Sequence, residues 1–210
     1  MAIEFRGVKN LVYAEVTADN NGNYTTGTVQ PLAPVAEISK SVETSSEAHY
    51  YDNKAAIIIN TEGADTVSFT IAIPDPETYA ELTGRTYDST KKMFIESQRV
   101  QKYFAVGYIL GEIGEGDEER FVWRYKGTFN IPEETSATED DGTDANNLTL
   151  EYTGIYTTHE FVNGKGTGTK GSAKAMFMLK SDGQLDEAHF FSQVVTPDTD
   201  IQELSEIAMD

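Results

Sequence analysis

The sequence lacks cysteine, is poor in positive charge and has no long apolar run, and each absence excludes a class of protein. Without cysteine there is no disulfide framework, no thiolate nucleophile and no zinc–cysteine site. Only 16 lysines and arginines stand against 35 acidic residues, a formal net charge of −19, which disfavours binding to nucleic acid or anionic membranes. The apolar runs are far shorter than the roughly 20 residues that a membrane-spanning helix needs.

The remaining composition is that of a folded chain. Hydrophobic residues make up 39% of the 210 residues and aromatic residues 10%, which is enough for one domain with its own core. In the first residues, MAIEFRGVKNLVYAEV, apolar residues alternate with polar and charged ones, unlike the pattern of a secretory signal peptide. We therefore predict a protein that is made and folded in a cytoplasm.

Strand patterns dominate the chain. In DTVSFTIAI (65–73) every second residue from Val67 through Ile73 is apolar. This is the period of a strand with one buried face. The stretches 121–129 and 148–156 alternate in the same way, and YFAVGYILGEI (103–113) is apolar enough for a central strand. The patterns predict a mainly β fold.

One helix is well marked between these strands. In IPDPETYAELTG, Asp75 is a good N-cap, Pro76 suits the first turn and Gly84 suits the C-cap. We predict a short amphipathic helix over about 75–84 that flanks a sheet. A less marked apolar stripe predicts a second helix over about 184–194.

The loops do not divide the chain into separate cores. The stretch 130–147 is long and acidic, and NGKGTGTKG (163–171) is typical of a flexible loop. We predict a single domain over residues 1–195 and an acidic C-terminal tail over 196–210. A family element, a variable end and a disordered tail remain alternatives for these last residues, to which we assign no function.

No motif points to catalysis, a metal or a cofactor. The three histidines, His49, His159 and His189, are far apart, and none has a partner at metal-ligand spacing. Residues 166–171 satisfy GxGxxG, but the chain lacks the alternating βαβ pattern that this motif requires. The acidic stretch 139–144 does not follow the EF-hand spacing. We therefore predict that the protein is not an enzyme and has no cofactor or metal site.

The segment VAEISKSVETSSEAHYYDNKAAIII predicts a long β-hairpin over about 35–59, with a turn at 44–46. One side of its first arm is polar and cannot belong to a core, and its edges invite pairing with another chain. Such a hairpin is marginal in isolation, which suggests that neighbouring copies supply the missing strands. We favour an inter-subunit hairpin over a chemical site for four consecutive residues: His49, Tyr50, Tyr51 and Asp52.

The order of these features resembles the major tail protein, or tail tube protein, of long-tailed non-contractile bacteriophages (siphophages) of Gram-positive hosts. The matching stretches are FRGVKNLVYAEV, the hairpin ending in YYDNKA, TVSFTIAIPDPETYAELTG, KYFAVGYILGE and FVWRYKGTFNIPEETSATEDDGTDANNLTLEYTG. They extend over about residues 1–195, and the similarity is one of overall pattern without a catalytic signature.

This resemblance implies a two-sheet β-sandwich of the tail-tube type with one flanking helix. It implies hexameric rings stacked into a hollow tail tube, with a hairpin from each copy in a β-barrel around the lumen. The implied partners are further copies of the chain, the tape measure protein, and tail initiator or baseplate and terminator proteins, in a virion assembled in the host cytoplasm. Ile38 and Val42 would face inward, and we assign four residues to the lumen face: Glu37, Ser39, Ser41 and Glu43.

The negative charge has a role in such a tube, because phage DNA must pass through the lumen without binding. Lysine and arginine bind phosphates and release counterions, whereas carboxylates repel DNA. Solubility is the alternative reason for the charge.

Two other classes of protein stay open. One is a β-sandwich binding module, carbohydrate-binding or adhesin-like, which needs an exposed aromatic platform; Trp123 and Tyr125 instead lie on a predicted core face. The other is a hydrolase with scattered acidic groups, which needs converging carboxylates. Glycan binding would identify the first, and turnover of a substrate panel the second.

Overall fold

The computed structural model describes residues 7–51, 54–111, 118–133 and 147–206. The strands are β1 (Val8–Asn20), β2 (Asn23–Thr26), β3 (Gln30–Pro31), β4 (Val35–Tyr51), β5 (Lys54–Ala72), β6 (Thr86–Asp88), β7 (Met93–Ile95), β8 (Phe104–Gly111), β9 (Glu119–Phe129), β10 (Asn147–Gly154) and β11 (Ala175–Leu179). The helices are α1 (Pro76–Thr83), α2 (Glu187–Phe190) and α3 (Ile201–Glu206), with a 3-10 turn at Lys180–Asp182.

Nine of these strands form one antiparallel sheet, which confirms the prediction of a mainly β fold. Its order is β2-β1-β8-β9-β10-β5-β4, with β3 paired to β1 and β11 paired to β9. Strand β9 pairs with β8 over 119–127, with β11 over 120–124 and with β10 over 127–129. Strands β6 and β7 form a separate two-stranded sheet.

A first hydrophobic core joins β1, β8 and β9 to β5 and β10. Val67, Phe69 and Ile71 are fully buried opposite a matching apolar row on β10, as the alternation predicts. The last residue of the predicted apolar row, Ile73, is not part of the core. Strand β5 ends at Ala72, and Ile73 is 65% exposed. Residues of α1 and β4 also pack against this core; they include Leu82, Tyr79 and Ile38.

A second core lies on the opposite face of β1, β8 and β9. Adjacent residues such as Tyr13 and Ala14 belong to different cores, and successive residues of a strand face opposite sides. Trp123 is fully buried there, stacked on Phe190 with 6.4 Å between ring centroids. Its Nε1 donates a hydrogen bond to the carbonyl oxygen of Phe190 at 3.1 Å. The C-terminal segment therefore covers this face of the sheet.

The residues after Thr196 are described up to Glu206. Helix α3 begins after Asp200, whose Oδ1 accepts hydrogen bonds from the backbone N–H groups of Gln202 and Glu203. Leu204 is 5% exposed and belongs to the second core. The described part of the predicted acidic tail thus ends in a short helix that contacts this core through Leu204.

Helix α1 lies where the sequence predicts it, and both caps have the expected form. The carboxylate of Asp75 accepts hydrogen bonds from the backbone N–H groups of Glu77 and Thr78. Gly84 ends the helix in the left-handed region with φ of +67°, a conformation that favours glycine. The second predicted helix is shorter than 184–194: α2 has four residues.

The buried apolar residues of this stretch lie mostly after the short helix. Phe190 ends α2, and Phe191, Val194 and Val195 follow it, the first two in a turn. All four are buried in the second core. Their spacing is compatible with one helical face, and the structure gives no reason for the early end of the helix.

The predicted hairpin is present and longer than expected, and the predicted turn at 44–46 is wrong. Strand β4 continues through these residues, opposite 60–62 of β5. The stretch contains no glycine, proline or asparagine, and threonine suits a strand, so nothing in it ends the ladder. The irregularity next to these residues is a β-bulge, in which Gly63 and Ala64 of β5 lie opposite Glu43 of β4. The hairpin turns between Tyr51 and Lys54.

The glycine-rich stretch 163–171 is a hydrogen-bonded turn, in contrast to the flexible loop that its composition predicts. Phe161 and Gly171 exchange two backbone hydrogen bonds of 3.0 Å. The carboxylate of Asp198 accepts hydrogen bonds from the N–H groups of Val162 and Asn163 at 2.8 and 2.9 Å. The turn is therefore attached to the C-terminal segment, and no helix follows it as a dinucleotide-binding loop would need.

Candidate functional site

The hairpin of β4 and β5 extends beyond the rest of the sheet. Strand β10 pairs with β5 only over 65–72, so residues 54–64 have β4 as their only strand partner in the described part of the chain. The result is a two-stranded extension, here called the distal ribbon, made of residues 44–51 and 54–62. Two-stranded hairpins are marginal in water without further packing.

The distal ribbon exposes large apolar side chains. Ile57, Ile58 and Ile59 are 50%, 63% and 48% exposed. Because successive residues of a strand face opposite sides, both surfaces of the ribbon carry isoleucine. Apolar groups gathered on a projecting element are typical of an interaction surface.

Strand β4 is also a long free edge. Its 17 residues correspond to roughly 55 Å of backbone at about 3.3 Å per residue, and β5 is its only strand partner among the described strands. Natural edges are usually blocked by proline or by several charges that prevent further pairing. β4 contains no proline, and its charged residues are Lys40 and three glutamates, Glu37, Glu43 and Glu47. Because no described strand lies on its outer side, its backbone is open to a strand that tolerates these charges.

One face of β4 is polar along most of the strand. Pairing places Glu37 beside Thr70 and Ser39 beside Ser68, and β10 continues these rows with Thr149 and Glu151. Ile38 packs against the first core on the opposite side. Every second residue of β4 from Glu37 onward lies on this face. All seven are polar, and none is lysine or arginine: Glu37, Ser39, Ser41, Glu43, Ser45, Glu47 and His49. We call this row the polar strip.

A buried ionic cluster lies where the hairpin leaves the sheet. Asp65 is 2% exposed, and its Oδ2 accepts a hydrogen bond from Arg124 Nη1 at 3.0 Å and lies 3.2 Å from Lys40 Nζ. Its Oδ1 accepts one from Lys174 Nζ at 3.1 Å. Arg124 Nε donates in addition to the Tyr108 hydroxyl at 3.2 Å. The cluster thus connects β4, β5, β8 and β9 with the residue before β11.

The protonation state of the cluster follows from these contacts. Burial raises the pKa of Asp65, but the hydrogen bonds from Lys174, Lys40 and Arg124 lower it further, and the net pKa lies below the ordinary value. Lys174 also bonds to the Glu62 carboxylate at 2.7 Å. Since Glu62 belongs to the distal ribbon, the cluster fixes the base of the ribbon to the sheet.

The residues predicted to face a lumen lie together on the polar strip. Glu37, Ser39, Ser41 and Glu43 are all exposed, and Ile38 packs against the first core on the opposite side of the strand. Their assignment to a lumen stays a prediction.

Three of the four residues assigned to an inter-subunit hairpin, His49, Tyr50 and Tyr51, lie in the last part of β4. His49 is partly exposed on β4, and the backbones of Tyr50 and Tyr51 pair with Ala55 and Lys54. Asp52 lies outside the described residues, as does most of the acidic stretch 130–147.

Sequence reasoning missed two parts of this site. The hairpin prediction includes Ile57, Ile58 and Ile59 without predicting their exposure, although three consecutive isoleucines exceed the needs of a strand with one buried face. The alternation over 65–73 gives no role to Asp65, although this residue lies on the same strand face as Val67 and Phe69. A carboxylate on an apolar face is the signal that predicts a buried ion pair.

The described residues give no indication of a catalytic or metal centre. No group of three or more histidine or acidic residues is placed to hold a metal ion in the ranges that the structure covers. None of the described helices is long and apolar enough to cross a membrane. Trp123 and Tyr125 are fully buried, so they do not form an aromatic binding platform.

Comparison with known proteins gives no family assignment. No protein-family model matches the chain, and no curated protein matches its sequence.

Proposed function

We propose that this chain is a tube-forming structural protein, the tail tube subunit of a siphophage, in which hexameric rings stack into a hollow tube for DNA ejection. The observation that carries the proposal is the distal ribbon, with its free β4 edge and its exposed isoleucines. Among the described residues, no third strand pairs with the distal ribbon or covers its isoleucines, and a ring of identical copies supplies such partners.

Ring closure explains how the ribbon is stabilised. Each β4 edge pairs with a strand of the next copy, and in a closed ring no edge remains unpaired. Ile57 and Ile59 lie on one surface of the ribbon and Ile58 on the other, so neighbours on both sides bury apolar area. Burial of one such side chain contributes about 1.5–3 kcal/mol.

The part of the polar strip nearest the sheet, Glu37 to Glu43, then forms part of the lumen wall, because farther out the same surface carries Ile57 and Ile59. DNA in the tube meets hydroxyl groups and carboxylates from β4, β5 and β10. Each cation on this surface would bind a phosphate and release a counterion, which slows passage. A wall without lysine or arginine lets the DNA slide.

The finer description of the fold belongs to the same proposal. We infer a two-sheet β-sandwich of the tail-tube type, in which the two parts of the sheet enclose the first core and α1 flanks them. A tape measure protein and tail initiator and terminator proteins are its expected partners in the virion.

Electron microscopy of the purified chain tests the proposal. We expect hollow rings or tubes in negative stain at high concentration, with a matching rise in mass by light scattering. The double substitution Ile57→Ser/Ile59→Ser should leave folded monomers and remove the rings. The control Ile95→Ser alters an isoleucine that is 40% exposed on the small β6–β7 sheet and should leave assembly intact.

The proposal fails if the double variant forms the same rings as the native chain. A chain that stays monomeric at every concentration counts against it and favours the binding module, for which a glycan screen is the next measurement.

A further inference from the structure

A groove of about 610 Å³ begins at the first residue of the polar strip, Glu37, and lies between β4 and the edge of β11. Strand β11 pairs only with β9 among the described strands. The β11 border therefore presents backbone groups that an extended peptide can use, while the β4 edge is the one assigned above to ring pairing. The floor is apolar and includes Tyr108, Leu110, Val122 and Met176.

The groove is positively charged in a chain whose net charge is −19. Lys40, Arg120 and Arg124 line it, and Glu37 is the single carboxylate among its lining residues. Lys40 and Arg124 already contact Asp65. Arg120 is the cation that remains available to a ligand.

Arg120 is held in a position suited to an incoming carboxylate. Its guanidinium lies over the ring of Phe177, 3.6 Å from the ring centroid. Its Nε is buried and has no hydrogen-bond partner among the described residues. Stacking keeps the planar group in place, no described carboxylate pairs with it, and a guanidinium binds carboxylates with two parallel hydrogen bonds.

We propose that this groove binds the acidic segment 133–144 of a second copy of the chain. The segment carries six carboxylates and no lysine or arginine: Glu133, Glu134, Glu139, Asp140, Asp141 and Asp144. Charge complementarity of this kind selects the partner and its orientation. The inference rests on the proposed function, which brings copies of the chain into contact.

The position of the segment favours contact between copies. It follows the end of β9 at Phe129, whereas Arg120 lies at the start of β9, about 30 Å away at 3.3 Å per residue. A donor segment at one end of a strand and an acceptor groove at the other make a head-to-tail interface. Such interfaces generate rings or stacks of identical copies.

The absence of cysteine in the native chain allows a direct test by disulfide trapping. One variant carries Ala137→Cys in the acidic segment, and a second carries Ala175→Cys at the exposed border of the groove. After the two are mixed and oxidised, we expect a mixed disulfide dimer on a non-reducing gel. The control Gln193→Cys lies on the C-terminal segment that covers the opposite face of the sheet and should give background cross-linking with Ala137→Cys.

Charge dependence separates a specific contact from random collision. Arg120→Gln in the groove partner should lower the yield of the mixed dimer about fivefold, as expected for one charged hydrogen-bonded pair at a partly exposed site. Glu139→Gln/Asp140→Asn/Asp141→Asn in the other partner should lower it similarly without altering the groove. About 1 M salt, where the screening length is roughly 3 Å, should also lower it.

Two outcomes overturn the inference. One is a yield equal to that of the Gln193→Cys control. The other is an intrachain disulfide in the Ala137→Cys/Ala175→Cys double variant without dimers, which would place the segment in its own groove. Electron microscopy of the same samples separates the two proposals. Rings that form without the cross-link would refute the groove contact and leave the tube proposal standing. A cross-link in samples that never form rings would refute the tube proposal and leave the groove contact standing.

Discussion

The carboxylate of Asp65 and the guanidinium of Arg124 form a buried ion pair, with 3.0 Å between Oδ2 and Nη1. The two residues are 2% and 4% exposed and connect the base of the projecting hairpin to β9. Removal of one partner from such a pair leaves the other charge buried and uncompensated. Loss of either partner should therefore destabilise the chain where the hairpin leaves the sheet.

The first prediction follows from this pair. Asp65→Asn should lower the free energy of unfolding by about 3–5 kcal/mol, because Arg124 and Lys174 then lose their shared carboxylate. Urea unfolding followed by the fluorescence of Trp123, the one tryptophan of the chain, measures the change. The control Glu62→Gln affects a half-exposed partner of Lys174 and should cost at most about 1 kcal/mol. Equal costs for the two variants would refute the role of Asp65.

The second prediction concerns pH. The pKa of Asp65 is lowered from its ordinary value of 3.8, because the hydrogen bonds from Lys174, Lys40 and Arg124 outweigh the opposing effect of burial. A carboxyl group whose pKa is lower in the folded state stabilises fully above its unfolded pKa and loses this contribution as the pH falls through the folded pKa. The free energy of unfolding should therefore fall below about pH 4.

Urea titrations at several pH values test this dependence. Asp65→Asn should show a shallower loss of stability between about pH 4 and pH 2 than the native chain, because one shifted carboxyl is gone. Asp19 provides a comparison, because its pKa is also lowered: hydrogen bonds from Lys126, Thr158 and His159 outweigh burial. An unchanged acid slope in Asp65→Asn would show that its pKa is not lowered.

The sequence predicts the local features of this fold and misses the distant ones. Helix α1 is predictable because Asp75 and Gly84 cap it from within the same short stretch. Arg124 and Lys174, which donate hydrogen bonds to Asp65, lie 59 and 109 residues away from it in the sequence. No local pattern predicts these contacts. The turn at 44–46 was misplaced because serine and threonine suit strands as well as turns.

The third prediction compares two glycines with the same backbone conformation. Gly84 and Gly183 have φ values of +67° and +63°, so alanine at either position costs about 1–2 kcal/mol in strain. At Gly84 the added Cβ would also meet the carbonyl oxygen of Val100 at 2.0 Å, whereas nothing lies within 4 Å at Gly183. Gly84→Ala should therefore destabilise the chain by at least about 1 kcal/mol more than Gly183→Ala. Similar melting temperatures for the two variants would contradict this.

The fourth prediction tests the cover that the C-terminal segment forms over the second core. Phe190 is fully buried and contacts Trp123 through both its ring and its carbonyl oxygen. Phe190→Ala should cost about 3–5 kcal/mol and shift the emission of Trp123 to longer wavelength as water reaches the indole. Ser192→Ala, an exposed position on the same segment, should leave the emission unchanged. If the emission of Trp123 in Phe190→Ala stays at the wavelength of a buried tryptophan, the segment does not shield the indole from water.

The last prediction concerns the charge of the polar strip. In the native chain this row has three glutamates and no lysine or arginine, so assembled tubes should not retain short duplex DNA. The variant Glu37→Lys/Glu43→Lys/Glu47→Lys places three cations per copy on this surface. If the strip faces the lumen, tubes of this variant should bind DNA, and the binding should weaken steeply with rising salt because counterions are released.

A variant with the same net charge separates the effect of position from that of total charge. Glu96→Lys/Glu160→Lys/Glu203→Lys changes three exposed glutamates outside the strip. Co-sedimentation of labelled DNA with tubes of each variant measures retention. Retention by the strip variant alone supports a lumen wall that repels DNA. Equal retention by both variants would mean that the charge acts through solubility and non-specific attraction, and that the polar strip has no special contact with DNA.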